Sequence, residues 1–120
     1  MQRVLVTGAT GFIGKYTLPL LLGKGFEVHA VSSKPIKPDN NYSWHQADLL
    51  KTDQITDLVA QVSPSHLLHF AWYAEPKKYW TSPINLQWLQ SSISLLEAFK
   101  NNGGKRALFA GTCAEYEWKF

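Results

Sequence analysis

The sequence predicts an α/β domain: a doubly wound parallel sheet of about five strands with helices on both faces. Short apolar, β-branched runs alternate with helical stretches along the 120 residues, and a glycine-rich turn joins the first run to the first helix. This alternation is typical of parallel sheets built from right-handed crossovers. With 45% hydrophobic residues, the chain is long enough for one domain with a core and too short for two.

The first half of the chain is expected to supply three strands and two helices. Apolar residues recur at helical spacing at Phe12, Ile13, Tyr16 and Leu20, with Leu21 a further candidate. Pro19 removes one backbone hydrogen bond from that helix. Thr52 precedes a second periodic stretch and has a side chain suited to cap it. The predicted strands cover 3–7, 27–31 and 44–47, and the helices run from about residue 12 to the glycines at 23 and 25 and over 53–62.

The second half is expected to add two strands and a long helix. The strands are predicted over 66–71 and 106–110, and the helix over 84–101, ahead of a Gly103-Gly104 stop. The aromatic and proline-containing residues between 72 and 83 favour a loop at the carboxyl end of the fourth strand. Apolar side chains recur along the long helix and are expected to face the core: Leu86, Leu89, Ile93, Leu96 and Phe99.

The turn after the first strand reads Gly8-Ala9-Thr10-Gly11-Phe12-Ile13-Gly14, and its position between a strand and a helix matters more than the pattern. In a dinucleotide site the first glycine permits the tight turn, the second lets backbone approach a pyrophosphate, and the third allows close helix packing. The helix N-terminus then presents amides to the phosphates. A turn without chemical consequence is the alternative. We predict that this site binds a dinucleotide through Gly8, Thr10, Gly11, Phe12, Ile13 and Gly14.

Composition and charge argue against several other functions. The net charge is +3 with the basic residues spread along the chain, which is too weak a pattern for a nucleic-acid surface. The longest apolar run, 18–22, contains Pro19 and is far shorter than the ~20 residues that span a bilayer. Cys113 is the single cysteine, so no internal disulfide or multi-cysteine metal site is expected. Because the first residues lack a signal-peptide pattern, we expect a cytoplasmic protein without membrane, nucleic-acid or metal partners.

These motifs resemble the extended short-chain dehydrogenase/reductase family, which includes nucleotide-sugar epimerases, dehydratases and reductases. Residues 6–14 look like the opening motif of the family, and residues 108–116 resemble its fifth-strand motif, which carries a catalytic Ser or Thr. Asp48-Leu49, His69-Phe70-Ala71-Trp72 and Leu95-Leu96-Glu97-Ala98 are further likenesses. The resemblance covers nearly all of the chain and implies a Rossmann fold that binds NAD or NADP.

The end of the second strand bears on the choice between NAD and NADP. NAD-selective sites usually place an acid there, about 20 residues beyond the glycines, to bond the ribose hydroxyls. Here the position reads Ser32-Ser33-Lys34. Two hydroxyls and an ammonium group suit a 2′-phosphate, so NADP is favoured and NAD remains the alternative. Lys34 is nearly as well explained as an ordinary solvated lysine.

The resemblance also assigns the rest of the cofactor site. Asp48 and Leu49 would contact the adenine ring, although Asp48 could simply cap the following turn. Phe70, Ala71 and Trp72 would lie beside the cofactor at the end of the fourth strand. His69 is interpreted as a buried strand histidine bonded to backbone rather than a proton carrier. Trp88 stands where many members have asparagine, and a pocket wall and a core or subunit interface are equally weighted explanations of it.

In the family, a tyrosine activated by a lysine four residues later carries the proton chemistry, and a fifth-strand hydroxyl helps to bond the substrate carbonyl. Thr112 takes the position of that hydroxyl. Tyr73 and Lys77 have the tyrosine–lysine spacing, but they precede the expected place and Pro76 spoils a helical face, so we interpret the match as a coincidence. Residues 1–120 are therefore expected to form a truncated cofactor-binding domain, without the last strands, the catalytic pair and the substrate domain.

The first hypothesis is the cofactor-binding portion of an NAD(P)-dependent nucleotide-sugar epimerase, dehydratase or reductase, with hydride transfer at a sugar carbon. The resemblance implies a nucleotide-sugar substrate and a homodimer formed through a bundle that includes the 84–101 helix. The alternative is a non-catalytic regulatory or redox-sensing module that uses the dinucleotide as an effector. A third hypothesis is a nonfunctional remnant with an exposed apolar sheet edge. The chain alone is expected to bind cofactor weakly and to lack turnover.

Overall fold

The computed structural model describes residues 2–37, 39–72 and 83–110, which form a parallel sheet flanked by helices. In chain order the elements are β1 (Arg3–Thr7), α1 (Phe12–Gly23), β2 (Glu27–Ser32), β3 (Ser43–Gln46), α2 (Thr52–Val62), β4 (His66–His69), α3 (Ile84–Asn101) and β5 (Arg106–Phe109).

The sheet has the order β3-β2-β1-β4-β5, and each pair of neighbouring strands is parallel. The chain moves outward from β1 to β3 and then returns to β4 on the other side of β1, so the order reverses between β1 and β4. In such sheets ligands bind in the crevice at this reversal, outside the carboxyl ends of the strands. The predicted doubly wound fold is confirmed, and Thr7 pairs with His69 at the reversal.

Side chains alternate between two cores, one on each face of the sheet. On one face the strands meet α2 and α3, and on the other β1 and β2 meet α1. The first core contains Leu5, Val31, Ala47, Leu49, Ile55, Leu58, Val59, Val62, Leu67, Leu95 and Phe99. The second contains Val4, Val6, Ala9, Leu18, Val28 and Ala30, with Leu68 and Phe70 partly buried against it.

The predicted inward face of α3 is wrong except at Phe99. Leu86, Leu89, Ile93 and Leu96 are 45–68% exposed, whereas Leu95, Phe99 and two serines are buried. The leucines and the isoleucine do form a helical stripe, but the stripe lies on the outer side of the helix. Small serine side chains face inward instead, where Ser92 meets His69 of β4 and Ser91 meets the Leu49 carbonyl after β3.

The apolar residues that predicted α1 also lie on its outer side: Phe12, Ile13, Tyr16 and Leu20 are 60–78% exposed. The buried residues of α1 are Gly14 and Leu18. Gly14 lies directly against the backbone of Gly8 and Ala9, so the start of the helix has no room for a side chain on this side. The helix continues through Pro19, and the chain leaves it through Gly25 at φ +89°.

Other boundaries differ from the predicted ones by one or two residues. β1 and α3 have the predicted limits, whereas β4 ends two residues early, at His69. The prediction that Thr52 caps α2 is wrong, since the helix begins at Thr52 and its N-cap, Lys51, makes no side-chain capping bond. None of the three helices in the described ranges has both the length and the apolar character that crossing a bilayer requires.

Candidate functional site

A cavity of about 850 Å³ opens at the carboxyl edge of the sheet, at the reversal between β1 and β4. It brings together all the residues that the sequence predicted to bind a cofactor. These are Gly8, Thr10, Gly11, Phe12, Ile13 and Gly14 from the turn, Ser32, Ser33 and Lys34 after β2, Asp48 and Leu49 after β3, and Phe70, Ala71 and Trp72 after β4. The remaining lining residues are Val31, Ala47, Leu50, Trp88 and Ala110.

The glycine turn is fixed by backbone geometry that side chains would disturb. Gly8 has φ +63°, and a Cβ there would lie 2.8 Å from the Ala71 nitrogen, so the turn rests directly on the peptide after β4. A Cβ on Gly14 would lie 2.1 Å from the Gly8 carbonyl oxygen, which leaves no room for one. The Gly11 amide donates to that same oxygen at 3.1 Å and closes the turn. Gly8 therefore permits the tight turn and Gly14 the close approach of the helix, as the motif predicts for the first and third glycines.

The amino end of α1 points its backbone donors into this turn. The Lys15 amide makes the first helical bond, to the Gly11 carbonyl at 3.0 Å. The amides of Phe12, Ile13 and Gly14 precede it and have no partner within the helix. No side chain caps this end and its first turn holds no acidic residue. Such an end, with its positive dipole, favours an anion such as a pyrophosphate.

The ends of β2 and β3 form the second side of the cavity. Ser32 is buried and its hydroxyl accepts the Lys34 amide at 3.1 Å, so this hydroxyl shapes the turn. The Ser33 and Lys34 side chains are exposed. Asp48 accepts the Leu50 amide at 3.0 Å, which is the turn-capping role weighed for it, while it also lines the cavity.

The third side is the end of β4, where His69 is buried between two hydroxyl groups. Thr7 Oγ1 lies 2.6 Å from His69 Nδ1, and Ser92 Oγ lies 2.9 Å from His69 Nε2. Burial lowers the pKa of His69 from 6.5 to about 4, so its ring is neutral at physiological pH. The prediction of a buried histidine is confirmed, but its ring partners are side-chain hydroxyls rather than backbone.

Helix α3 adds Trp88, weighed above as a pocket wall or a core residue, to the cavity lining, and it holds two buried serines that the sequence analysis missed. Ser91 donates a short hydrogen bond to the Leu49 carbonyl, and Trp88 packs against the core beside it. The Trp72 and Trp88 rings lie 6.3 Å apart, and the Trp72 indole donates to Asn85 Oδ1 at 2.9 Å. The signal for the serines was their helical spacing with Leu95 and Phe99, which a search for apolar residues overlooks.

Several predicted features lie outside the described residues. They include Thr112, Cys113 and the Tyr73–Lys77 match. Within 2–37, 39–72 and 83–110, no three His, Cys, Asp or Glu side chains group closely enough to hold a metal ion.

The strand order and the glycine turn define the doubly wound, Rossmann-like class of α/β domain. Within that class, the chain belongs to the NAD dependent epimerase/dehydratase family, whose family model matches residues 4–119. The predicted resemblance is thus confirmed.

Relatives of known activity include two kinds of nucleotide-sugar enzyme. The chain is 27% identical to a GDP-mannose 4,6-dehydratase of Yersinia enterocolitica, in a match covering 86% of this chain and 32% of the relative. It is 26% identical to a UDP-glucose 4-epimerase of Rhizobium leguminosarum bv. trifolii, over 96% of this chain and 37% of the relative. The chain therefore spans about a third of the length of these curated relatives.

Solved structures support the same assignment. The UDP-glucose 4-epimerase of Thermus thermophilus, in complex with NAD, matches with a TM-score of 0.80 and 29% identity, over 92% of this chain and 38% of that one. A uronate dehydrogenase variant from Agrobacterium tumefaciens complexed with NAD has a TM-score of 0.76 and 25% identity, with 93% and 41% covered.

Proposed function

We propose that residues 1–120 are the dinucleotide-binding domain of an NAD(P)-dependent enzyme that modifies nucleotide sugars. The observation that carries this proposal is the cavity, which gathers the glycine turn and the ends of β2, β3 and β4 around the bare amino end of α1. The turn and the free amides suit the pyrophosphate, with the adenosine toward β2 and β3 and the nicotinamide toward β4 and β5. Family membership and the NAD-bound related structures support this assignment.

NADP is the proposed preference. The cavity wall after β2 offers the exposed Ser33 and Lys34 side chains and no carboxylate, so a 2′-phosphate would meet a cation and a hydroxyl there. The two related structures named above hold NAD. The preference for NADP is therefore proposed from the residues of this chain alone.

The proposed chemistry is hydride transfer at a sugar carbon, which the nicotinamide ring supplies when the cofactor is bound. Thr112 follows Ala110, a lining residue of the cavity, by two positions in the sequence. We assign its hydroxyl to the substrate oxygen at the reacting carbon. In the family that the chain resembles, a tyrosine–lysine pair carries proton transfer to and from that oxygen. The Tyr73–Lys77 match is not assigned this role, so residues 1–120 are expected to bind cofactor without turnover.

Calorimetric titration of the chain with NADP and with NAD tests the proposal. We expect saturable binding that favours NADP, and loss of binding in Gly11→Val, whose side chain would crowd the Gly8 carbonyl and the pyrophosphate position. Gly23→Val is the control, since a Cβ on Gly23 meets no atom within 4 Å. A folded chain that binds neither nucleotide would overturn the proposed function.

The preference is tested separately with Lys34→Glu and Lys37→Glu. The two variants make the same charge change in the same loop, but only Lys34 lines the cavity. Lys34→Glu should weaken NADP binding by about tenfold or more and so favour NAD, because a charge-assisted bond is replaced by repulsion. Equal effects of the two substitutions would point to a general charge effect and against a 2′-phosphate contact at Lys34.

The outer stripe of α3 supports the proposed homodimer. Leu86, Leu89, Ile93 and Leu96 are spaced by three, four and three residues, which is the spacing of a two-helix seam, and a second copy of the helix would bury the same residues. Sedimentation velocity should show a dimer that Ile93→Asp converts to a monomer. Gln90→Asp, at an exposed polar position of the same helix, should leave the dimer intact. A monomeric parent chain would contradict the proposal.

A further inference from the structure

The buried network around His69 joins β1, β4 and α3 behind residues that line the cavity. Thr7 Oγ1, at the end of β1, lies within hydrogen-bond distance of His69 Nδ1 and also accepts the Phe70 and Ala71 amides at 3.1 and 3.2 Å. Ser92 on α3 lies on the other side of the imidazole and donates to the Trp88 carbonyl at 2.9 Å. His69 is 4% exposed, and the Phe109 ring meets its edge at 5.0 Å between centroids.

The partners fix every proton in this network. A threonine hydroxyl has two lone pairs and one proton. Thr7 Oγ1 accepts from the Ala71 amide and shares the Phe70 amide with the Thr7 carbonyl oxygen, which lies 3.3 Å from the same nitrogen. Both lone pairs of the Thr7 hydroxyl thus face backbone amides. Its proton must therefore point to His69 Nδ1, which has to be unprotonated. The remaining ring proton is on Nε2 and is donated to Ser92, whose own proton goes to the Trp88 carbonyl. The bonds run in one direction, Thr7 to His69 to Ser92 to Trp88.

The residues held by this chain of bonds are the walls of the cavity. Thr7 secures the Phe70–Ala71 peptide, and the glycine turn rests on that peptide at Gly8. Ser92 bonds the Trp88 carbonyl in the first turns of α3, and Trp88 also lines the cavity. A shift of the Phe70–Ala71 peptide would therefore move both the support of the glycine turn and the adjoining wall of the cavity.

We propose that Thr7 and His69 are positioning residues for the dinucleotide site, in which a neutral imidazole with its proton on Nε2 locks the end of β4 to β1 and α3. The inference rests on the proposed function, because it concerns the affinity of that site. Neither residue lines the cavity, so each acts through Phe70, Ala71 and Trp88.

Thr7→Val and Thr7→Ser separate positioning from simple packing. Valine keeps the shape and removes the oxygen, which leaves the Ala71 amide and His69 Nδ1 without their partner, whereas serine keeps the oxygen and loses a methyl group. We expect Thr7→Val to weaken cofactor binding by about tenfold or more, and Thr7→Ser to bind within about twofold of the parent chain. Thr56→Val removes an exposed threonine hydroxyl from α2 and is the matched control.

Binding is measured by calorimetry at a temperature where circular dichroism shows each variant folded, with the melting temperature recorded separately. If Thr7→Val lowers the melting temperature but binds the cofactor as tightly as Thr7→Ser, the network is structural and the inference is overturned. If the parent chain binds no dinucleotide, the proposed function itself fails. The two failures are therefore distinguishable.

Long-range ¹H–¹⁵N spectra of the imidazoles give a second readout. His69→Gln identifies the His69 signals among the four histidines. We expect a protonated Nε2 and an unprotonated Nδ1 in the parent chain, and a loss of this fixed tautomer in Thr7→Val. A proton on Nδ1 in the parent chain would overturn the inference.

Discussion

Two histidine networks in this domain differ in burial and in charge. At the carboxyl end of β4, His69 is 4% exposed and its ring nitrogens meet only hydroxyl groups. Toward the amino ends of β1 and β2, His29 bonds Glu27 at 2.6 Å and His45 at 2.9 Å, and Glu27 also pairs with Arg3 at 2.9 Å. The Glu27 and Arg3 side chains of this second network are 40% and 48% exposed.

The comparison shows that burial decides whether a polar network fixes the side-chain arrangement at one end of the sheet. A buried, uncharged network allows one arrangement of protons, because a wrong one leaves an unpaired group away from water. A half-exposed, charged network tolerates several arrangements, since water replaces any partner that is lost. The buried His69 network lies beside the cavity, where a fixed arrangement would help to hold the proposed binding site in place. The half-exposed His29 network lies away from the cavity.

The largest expected effect tests how tightly the carboxyl end is packed. Gly14→Ala places a methyl group against the Gly8 carbonyl oxygen, so α1 must move away from the glycine turn. We expect the free energy of unfolding to fall by about 3 kcal/mol and cofactor binding to be lost. Gly23→Ala, in the same helix with no atom within 4 Å, should instead be neutral or stabilising by up to about 1 kcal/mol. Urea unfolding and calorimetry measure both, and equal effects of the two would contradict the close-packing argument.

The glycine turn and the strand ends that line the cavity could be predicted because their signals are local. Gly8 and Gly14 are required by the backbone of the turn itself, and Asp48 and Ser33 follow strands whose ends the sequence marks. The orientation of α3 could not be predicted in this way. A stripe of leucines at helical spacing is as typical of a face that packs on the core as of one that binds a partner. Ser92 faces inward, where it bonds His69, and that partner is far away in the sequence.

The next effect in size is the acid sensitivity of the buried network. His69 has a pKa of about 4 in the folded chain against 6.5 in the unfolded one, so between these values only the unfolded chain takes up the proton. Stability is therefore lost as the pH falls from 6.5 toward 4, by up to about 3 kcal/mol in all. Burial also lowers the pKa of His45, which acts in the same direction.

Urea unfolding of the parent chain and His69→Gln over this pH range isolates the contribution of His69. The parent chain should lose markedly more stability on acidification than the variant, which has no imidazole to protonate. If both chains lose stability with the same pH dependence, the acid sensitivity arises elsewhere.

The smallest expected effect belongs to the exposed network. The hydrogen bond from His29 lowers the pKa of Glu27, with further contributions from the charges of His29 and Arg3, so its stabilisation is present above about 4.5 and is lost as the pH falls through the lowered value. Because Glu27 and Arg3 are well solvated, a double-mutant cycle with Glu27→Gln and Arg3→Gln should give a coupling energy of only about 0.2–1 kcal/mol. Cofactor affinity should not change in either variant, since the pair lies away from the cavity. A coupling energy between Glu27 and Arg3 as large as the stability that His69 protonation is expected to cost would contradict this contrast. A loss of cofactor affinity in either variant would contradict it as well.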